Sequence, residues 1–358
     1  MRVLLTGATG FVGMEVLARL IEREDTEVVA LVRAADHERA RARIEDVLRL
    51  LYEEPGDRAS RVIAVPGDVA SEKLGLRRAD RRLLGSVDAV IHCAASIAFD
   101  LPLEEAMNIN AAGTARILDL AAEMPRLERL IHVSTAYVAG RTRGSFGEDD
   151  LEAQQEFRNT YERSKFEAER IVAARARELP IVVARPSIVV GDRTSGWTPS
   201  FNVIYWPLRA FARGLIREVP VDPAGLVDVV PVDYVAESLV HLLDRGGAVS
   251  GRLHLVAGEH ALTNGELIGL ACRWLGREPP RVDQRAEVPD EARAFLPYFD
   301  VHTSFDDSRA RAALAGKGIG PSALADYFPT LMRYADHSRW GKRRVTREAA
   351  LSGSWAGA

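Results

Sequence analysis

Residues 1–13 read MRVLLTGATGFVG, and the fold follows from that stretch. Val3 to Thr6 are a short apolar, strand-like run, three glycines follow at positions 7, 10 and 13, and Phe11 opens a helix-like stretch reaching Arg23. A glycine loop directly after a strand and opening a helix is the context in which such a pattern signals a dinucleotide. The glycines permit the tight turn and a close backbone approach to a pyrophosphate, and the helix N-terminus faces the phosphates. Thr6, Gly7, Thr9, Gly10, Phe11, Val12 and Gly13 are therefore candidate cofactor contacts, weighed against a plain strand-to-helix turn.

Outward from the loop, short β-branched runs alternate with longer helical stretches: Glu27 to Val32 before Asp36 to Tyr52, then Val62 to Val65, Ala89 to His92, Leu130 to Ser134 and Ile181 to Ala184. Helices are expected near Leu103 to Glu123 and Thr160 to Glu178. This alternation predicts α/β architecture, a doubly wound parallel Rossmann sheet covered on both faces. After Gly191 repeated Gly and Pro break the pattern, which places a smaller C-terminal substrate lobe there. The expected division is 1–190 for the dinucleotide-binding domain with the catalytic residues, 191–345 for the substrate lobe and lid, some elements returning to the first domain, and 346–358 for a disordered tail. In the second lobe Asp233 is read as the cap of Tyr234 to Leu243, and Thr263 with Glu266 as a capping box before Leu267 to Leu275.

With 358 residues and 47% hydrophobic content the chain can bury a full α/β core and a second lobe. A net charge of -4 from balanced acids and bases argues against nucleic acid and for a small-molecule partner. Cys93 and Cys272 lie in apolar stretches without metal-type spacing and read as reduced thiols. No stretch has the length of apolar sequence that an integral membrane segment requires, so a cytoplasmic protein is expected.

Tyr161 and Lys165 stand four apart at the start of a helical stretch, so both side chains leave one face. An ammonium beside the phenol is expected to lower the tyrosine pKa and make Tyr161 a general acid or base. Ser134 and Thr135 end the fifth strand, at the carboxyl edge where open parallel sheets bind ligands, and strand alternation leaves one hydroxyl facing the cleft. Arg33, at the end of the second strand, suits a 2′-phosphate where an NAD enzyme carries an acid; a solvated arginine is the alternative. Asp68 reads as an acceptor for the adenine amino group or as a turn residue. Asn110 reads as part of a water relay or as a pin between helix and sheet, the pin being favoured.

TGATGFVG, HCAA at 92–95, NINAAGT at 108–114, HVSTAYVAG at 132–140, YERSK at 161–165, RPSIVVGD at 185–192 and VDVVPVDYVA at 227–236 occur in one order. Together, over roughly residues 1–275, they resemble the male-sterility type of extended short-chain dehydrogenase/reductase. That group holds fatty acyl-CoA reductases and the thioester-reductase domains of carboxylic acid reductases and peptide synthetases. The resemblance implies Thr135, Tyr161 and Lys165 as a catalytic triad, and Pro186 and Ser187 beside the nicotinamide. Val69 and Ala94, beside Asp68 and in the HCAA run, join the candidate cofactor contacts.

The cofactor expected is NADP(H), and the substrate an acyl thioester reduced to aldehyde and on to alcohol if the reaction continues. The acyl group is expected on coenzyme A or on a separate carrier protein. Trp197, Phe201, Tyr205, Trp206 and Phe211 mark either core or an acyl pocket, core being favoured. Arg209 and Arg213 mark either a solvated face, the favoured reading, or phosphate contacts, and His92 and His132 read as core histidines. The rival functions are an alcohol dehydrogenase or epimerase of the same architecture, and a non-catalytic NADP sensor.

Overall fold

Alternation inside the first strand already separates two cores: Val3 and Leu5 pack to one side and Leu4 to the other. The structure, a computed structural model, describes residues 1–201, 203–243, 249–288, 293 and 295–354. Among these, seven strands form the central sheet in the order 7-6-5-4-1-2-3. They are β1 (Arg2–Thr6), β2 (Glu27–Val32), β3 (Val62–Pro66), β4 (Ala89–His92), β5 (Arg129–Val133), β6 (Ile181–Pro186) and β7 (Gly251–Leu255). All pair in parallel.

Helices cover both faces: α1 (Phe11–Ile21), α2 (His37–Leu51), α3 (Arg78–Leu84), α4 (Leu103–Ala106), α5 (Gly113–Ala122) and α6 (Thr160–Arg175). The chain runs outward from β1 to β3 and then crosses to β4, so the strand order reverses between β1 and β4. At such a point the carboxyl ends of neighbouring strands open a crevice.

The second lobe contains α7 (Tyr205–Ala212), α9 (Asn264–Leu275) and α11 (Leu324–His337), packed around a core of its own that includes Leu208, Phe211, Leu267 and Phe328. Between α7 and α9, α8 (Val232–His241) returns to pack on α1, and β7 joins the edge of the sheet. On either side of α11 in the chain lie α10 (Ser308–Leu314) and, at the C-terminal end, α12 (Arg347–Ser352).

Strand β7 was not among the sequence expectations. Its GRLHL carries two polar residues, and both are satisfied by tertiary partners: Arg252 reaches Glu169 (3.2 Å), and the buried His254 lies between the Arg185 guanidinium (3.1 Å) and the Asp306 carbonyl (2.6 Å). The expected helix over Leu103 to Glu123 contains a π-helical turn at Met107–Ala112, which carries Asn110. The capping box of Thr263 and Glu266 is present.

Two readings are corrected. Asp233 does not cap α8, which starts after Pro231; its carboxylate takes the Arg193 backbone N–H and pairs with the Arg193 guanidinium. The segment expected as a disordered tail over 346–358 contains α12, capped by Thr346. There Arg347, 5% exposed, binds both carboxylate oxygens of Glu15 at 3.0 Å and Glu22 at 2.8 Å. Positions 355–358 of that segment lie outside the described residues.

Candidate active site

A cleft of about 500 Å³ opens over the carboxyl ends of β1, β4 and β5. Its wall includes Gly7, Thr9, Gly10, Phe11, Val12 and Gly13 of the loop, together with Ser134, Thr135, Tyr161, Lys165, Pro186 and Ser187. Positions far apart in the chain thus meet in one crevice.

The loop discriminates between its glycines. A Cβ on Gly7, which has φ +76°, would stand 2.7 Å from the Ala94 nitrogen, and one on Gly13 would stand 2.0 Å from the Gly7 oxygen, so both are demanded by packing alone. A Cβ on Gly10 would meet nothing nearer than the Gly7 oxygen at 3.4 Å. Gly10 is the N-cap of α1 and supplies no side-chain cap, which leaves the first N–H groups of the helix facing the cleft. Such a cradle fits a dinucleotide pyrophosphate.

Thr6 and Ala94 lie beneath this surface rather than in its wall. Thr6 Oγ1 accepts from the Ala94 N–H (3.1 Å) and is hydrogen-bonded to His92 Nδ1 (2.7 Å); on the other side His92 Nε2 reaches Thr114 Oγ1 (3.2 Å), whose hydroxyl donates to the Asn110 carbonyl (2.6 Å). Followed in donor order, the chain requires a neutral His92 with its proton on Nε2. Burial acts in the same direction, pushing its pKa down to about 3. His132 is also buried, with its pKa held well below the usual histidine range by burial.

Asp68 and Val69 are likewise outside the cleft wall. Asp68 Oδ1 takes the Ala70 N–H (2.9 Å), and Val69 packs where a Cβ on Gly113 would come within 3.2 Å. Arg33 is exposed just beyond β2. Beside it lies a residue that sequence reasoning missed: Arg43 of α2 donates to the Arg33 carbonyl and reaches Thr9 Oγ1 at 3.5 Å. Only the packing of α2 against the loop brings this second guanidinium there. Its one sequence signal is a ten-residue separation from Arg33.

Helix α6 is held at both ends. Asn159 caps it by accepting the Glu162 N–H (2.9 Å) and donates to the Tyr298 hydroxyl (3.0 Å), and a buried Arg158–Glu162 pair locks the first turn. Further along, Glu169 and Arg185 form an ion pair with both side chains at 0% exposure, joining α6 to β6. Asn110 fixes the helix sideways by donating to Ser164 Oγ (2.8 Å) and to the Ser96 carbonyl (3.0 Å) while accepting the Ser96 N–H (2.8 Å). These are the contacts of a pin. Sequence reading passed over Arg158, Glu162, Glu169 and Arg185, because a partner at such separation carries no local signal.

Held in this way, Tyr161 packs against Phe99 (ring centroids 5.9 Å apart) and is hydrogen-bonded to the Thr135 side chain. Ser134 and Thr135 both border the cleft, but the Ser134 hydroxyl is buried beside Glu169 while the Thr135 hydroxyl meets Tyr161, so one hydroxyl of the two faces the cleft as strand alternation predicts.

The expected effect of Lys165 on Tyr161 is corrected too. Burial pushes the Tyr161 pKa up to about 12, with the Thr135 hydrogen bond opposing. The Lys165 ammonium donates to the Val133 carbonyl at 2.8 Å and is itself pushed down to about 8 by burial, with Glu169 opposing. The thiol of Cys93, in the same wall, is raised to about 12 by burial and is a poor nucleophile.

The aromatic run divides. Trp197 and Tyr205 are core: the Trp197 indole N–H donates to the Val345 carbonyl (3.1 Å), and the Tyr205 hydroxyl accepts the Gly191 N–H (3.0 Å). Phe201 packs between Tyr205 and Trp340, whereas Trp206 and Phe211 face a separate cavity.

The sheet order, the glycine loop and the crevice at the strand-order switch define a Rossmann-type dinucleotide-binding protein. More narrowly, residues 5–239 match the family described as Male sterility protein, and the chain belongs to that family. Fatty acyl-CoA reductase 1 of Xenopus laevis is 30% identical over 273 residues, which are 66% of this chain and 53% of that protein. The chain thus spans about half the length of this relative. The terminal R domain of the myxalamid PKS-NRPS biosynthetic pathway has 27% identity and a TM-score of 0.81, covering 95% of this chain and 91% of that one. UDP-glucuronic acid 4-epimerase from Bacillus cereus, solved in complex with NAD, covers 95% of this chain and 98% of its own at a TM-score of 0.71; at 19% identity it speaks for the fold alone. Among the described residues no helix is long and apolar enough to cross a membrane.

Proposed function

We propose that this chain reduces an acyl thioester, on coenzyme A or on a carrier protein, to an aldehyde at the expense of NADP(H). The observation that carries the reading is the pairing of the Thr135 and Tyr161 side chains in the cleft that begins at the glycine loop, with the phenol protonated throughout the physiological range. Bound over Gly10, a reduced nicotinamide dinucleotide supplies a hydride. The chain's own residues do the rest. Thr135 and Tyr161 donate hydrogen bonds to the substrate carbonyl oxygen and stabilise the charge that develops there. Tyr161 then gives its proton to that oxygen, and loss of the thiol from the tetrahedral product leaves the aldehyde. Lys165 holds the nicotinamide ribose, Pro186 and Ser187 bound the nicotinamide side, and Arg33 with Arg43 receives the 2′-phosphate. The relationship to fatty acyl-CoA reductases and to an R domain supports the thioester as substrate.

The test follows NADPH absorbance and free thiol together, with acyl-CoA thioesters, aldehydes and ketones as substrates. One thiol per aldehyde formed is the expected result. NADPH consumption with ketones or aldehydes but never with thiol release would assign the chain to the carbonyl reductases instead.

A further inference from the structure

The second lobe reaches the start of α6 through the turn Leu296–Phe299, where the buried Tyr298 stands in the cleft wall with Tyr161. We propose that Tyr298 is a positioning residue for Tyr161. Its hydroxyl completes the charged network at the start of α6 and its ring, through Phe99, braces the phenol, so the proton donor is aimed only when the second lobe is docked. The proposal rests on the reading above, in which Tyr161 gives its proton to the substrate oxygen.

Three observations carry it. First, the turn engages residues on both sides of Tyr161. Arg158 Nε donates to the Pro297 carbonyl (3.1 Å) and Asn159 Nδ2 donates to the Tyr298 hydroxyl (3.0 Å), which keeps its own proton for the neighbouring Glu162 carboxylate. The first turn of α6 thus depends on a segment 139 residues further along the chain.

Second, this network is enclosed. The side chains of Arg158 and Glu162 are 1% and 0% exposed, and a buried ion pair repays its desolvation only when its remaining donors and lone pairs are satisfied. The Arg158 backbone N–H serves Glu162 (2.8 Å) and the Gly140 carbonyl takes one guanidinium N–H. Pro297 and Tyr298 supply further partners from the second lobe. With the turn undocked, a buried guanidinium N–H and a carboxylate lone pair lose theirs, so the docked lobe and the first turn of α6 stabilise each other.

Third, the rings pass this order on to both hydroxyls of the site. Phe99 lies 4.9 Å from Tyr298 and 5.9 Å from Tyr161, and the Thr160 hydroxyl donates to the Leu101 carbonyl (2.8 Å), which ties the Phe99 loop to the same helix start. On its other side Tyr298 meets Tyr137 edge-on at 5.0 Å, and the Tyr137 N–H donates to Thr135 Oγ1 (3.2 Å). One side chain of the second lobe therefore touches the supports of Tyr161 and of Thr135.

The experiment compares wild type with Tyr298→Phe, which removes the hydroxyl and keeps the ring. Thiol release from octanoyl-CoA with NADPH gives kcat and KM, and titration calorimetry gives the NADPH affinity. Because a displacement of about 1 Å can cost on the order of 100-fold, kcat should fall about ten- to a hundredfold. KM and NADPH affinity should change by no more than about twofold, as expected for an interaction that acts only in the transition state. An unchanged kcat, or a loss of kcat matched by an equal loss of NADPH affinity, overturns the proposal. Amide hydrogen exchange in the ligand-free protein is the second readout: residues 160–166 should exchange at least about tenfold faster in the variant while β5 keeps its wild-type rate. Unchanged exchange at the start of α6 also overturns it. If wild type releases no thiol from any thioester, the thioester reading fails by itself. The kinetic comparison then uses the aldehyde or ketone that wild type reduces, and if it reduces none, exchange alone decides. Should Tyr298→Phe fail to fold by circular dichroism, Phe99→Leu, which removes the intervening ring from a half-buried position, replaces it with the same kinetic outcomes.

Discussion

At Tyr161 burial and the Thr135 hydroxyl act on the phenol in opposite directions and burial prevails, so the side chain carries its proton across the whole working range. That state suits reduction, in which the product oxygen must be given a proton. Tyr161→Phe should therefore cost on the order of 100-fold or more in turnover while leaving NADPH affinity nearly unchanged; near-normal turnover would exclude the phenol as the proton source. Lys165 is the group that changes charge near neutrality, pushed down to about 8. Below that pH the ammonium is present and can hold ribose hydroxyls, and as pH rises through it the charge is lost. The expected kcat/KM for reduction therefore falls above about pH 8, and Glu169→Gln, by removing the one carboxylate that supports the ammonium, should move that limb to lower pH. A profile flat through pH 8 would show that the lysine charge plays no part. The Tyr-x-x-x-Lys spacing was plain in the sequence. The direction of the tyrosine shift was not, because desolvation is a property of the packed site.

Helix α6 and the C-terminal helix α12 show what individual elements contribute. The start of α6 is legible, with Asn159 ahead of Thr160 in the manner of an N-cap. Its anchoring to β6 through Glu169 and Arg185 is not, since a buried ion pair is costly in isolation and appears only where both partners are already enclosed. The same holds for α12, which lies in a tail expected as disordered because the chain there turns basic and then small and polar. What orders it is Arg347 against Glu15 of α1, 0% exposed and one turn beyond the glycine loop, and against Glu22. Arg347→Met should lower the free energy of unfolding by about 1.5 to 3 kcal/mol, because the buried Glu15 carboxylate keeps Arg19 as a partner but loses its charge-assisted bonds to Arg347. The double variant with Glu15→Gln should recover much of that loss. Urea unfolding checks both, and a loss well under 1 kcal/mol would mean that the pair is not a clasp.

Over the whole molecule the proposed cofactor site is a product of folding, since the loop of β1, the end of β2, the guanidinium from α2 and the end of β5 meet only in the folded chain. A ligand that binds the folded state alone stabilises it by about 2.7 kcal/mol at a hundred times its Kd. NADPH should raise the melting temperature more than NADH at equal concentration, and Arg33→Ala or Arg43→Ala should remove most of the difference, each charge-assisted contact contributing roughly 1.5 to 3 kcal/mol. Equal loss for both cofactors would refute the phosphate assignment.

By itself the sequence determined the doubly wound sheet, the glycine loop and the Tyr-x-x-x-Lys spacing, because each is written in a local period: alternating apolar residues, glycines at a turn, two side chains one helical turn apart. Tertiary structure alone decided the seventh strand, whose arginine and histidine are tolerated only beside Glu169 and Arg185, and the position of Arg43 next to the loop. It alone also divided the aromatic run, turning Trp197 and Tyr205 into core and Trp206 and Phe211 toward a cavity. These are contacts between residues distant in the chain, and their energies depend on burial that no short window of sequence contains.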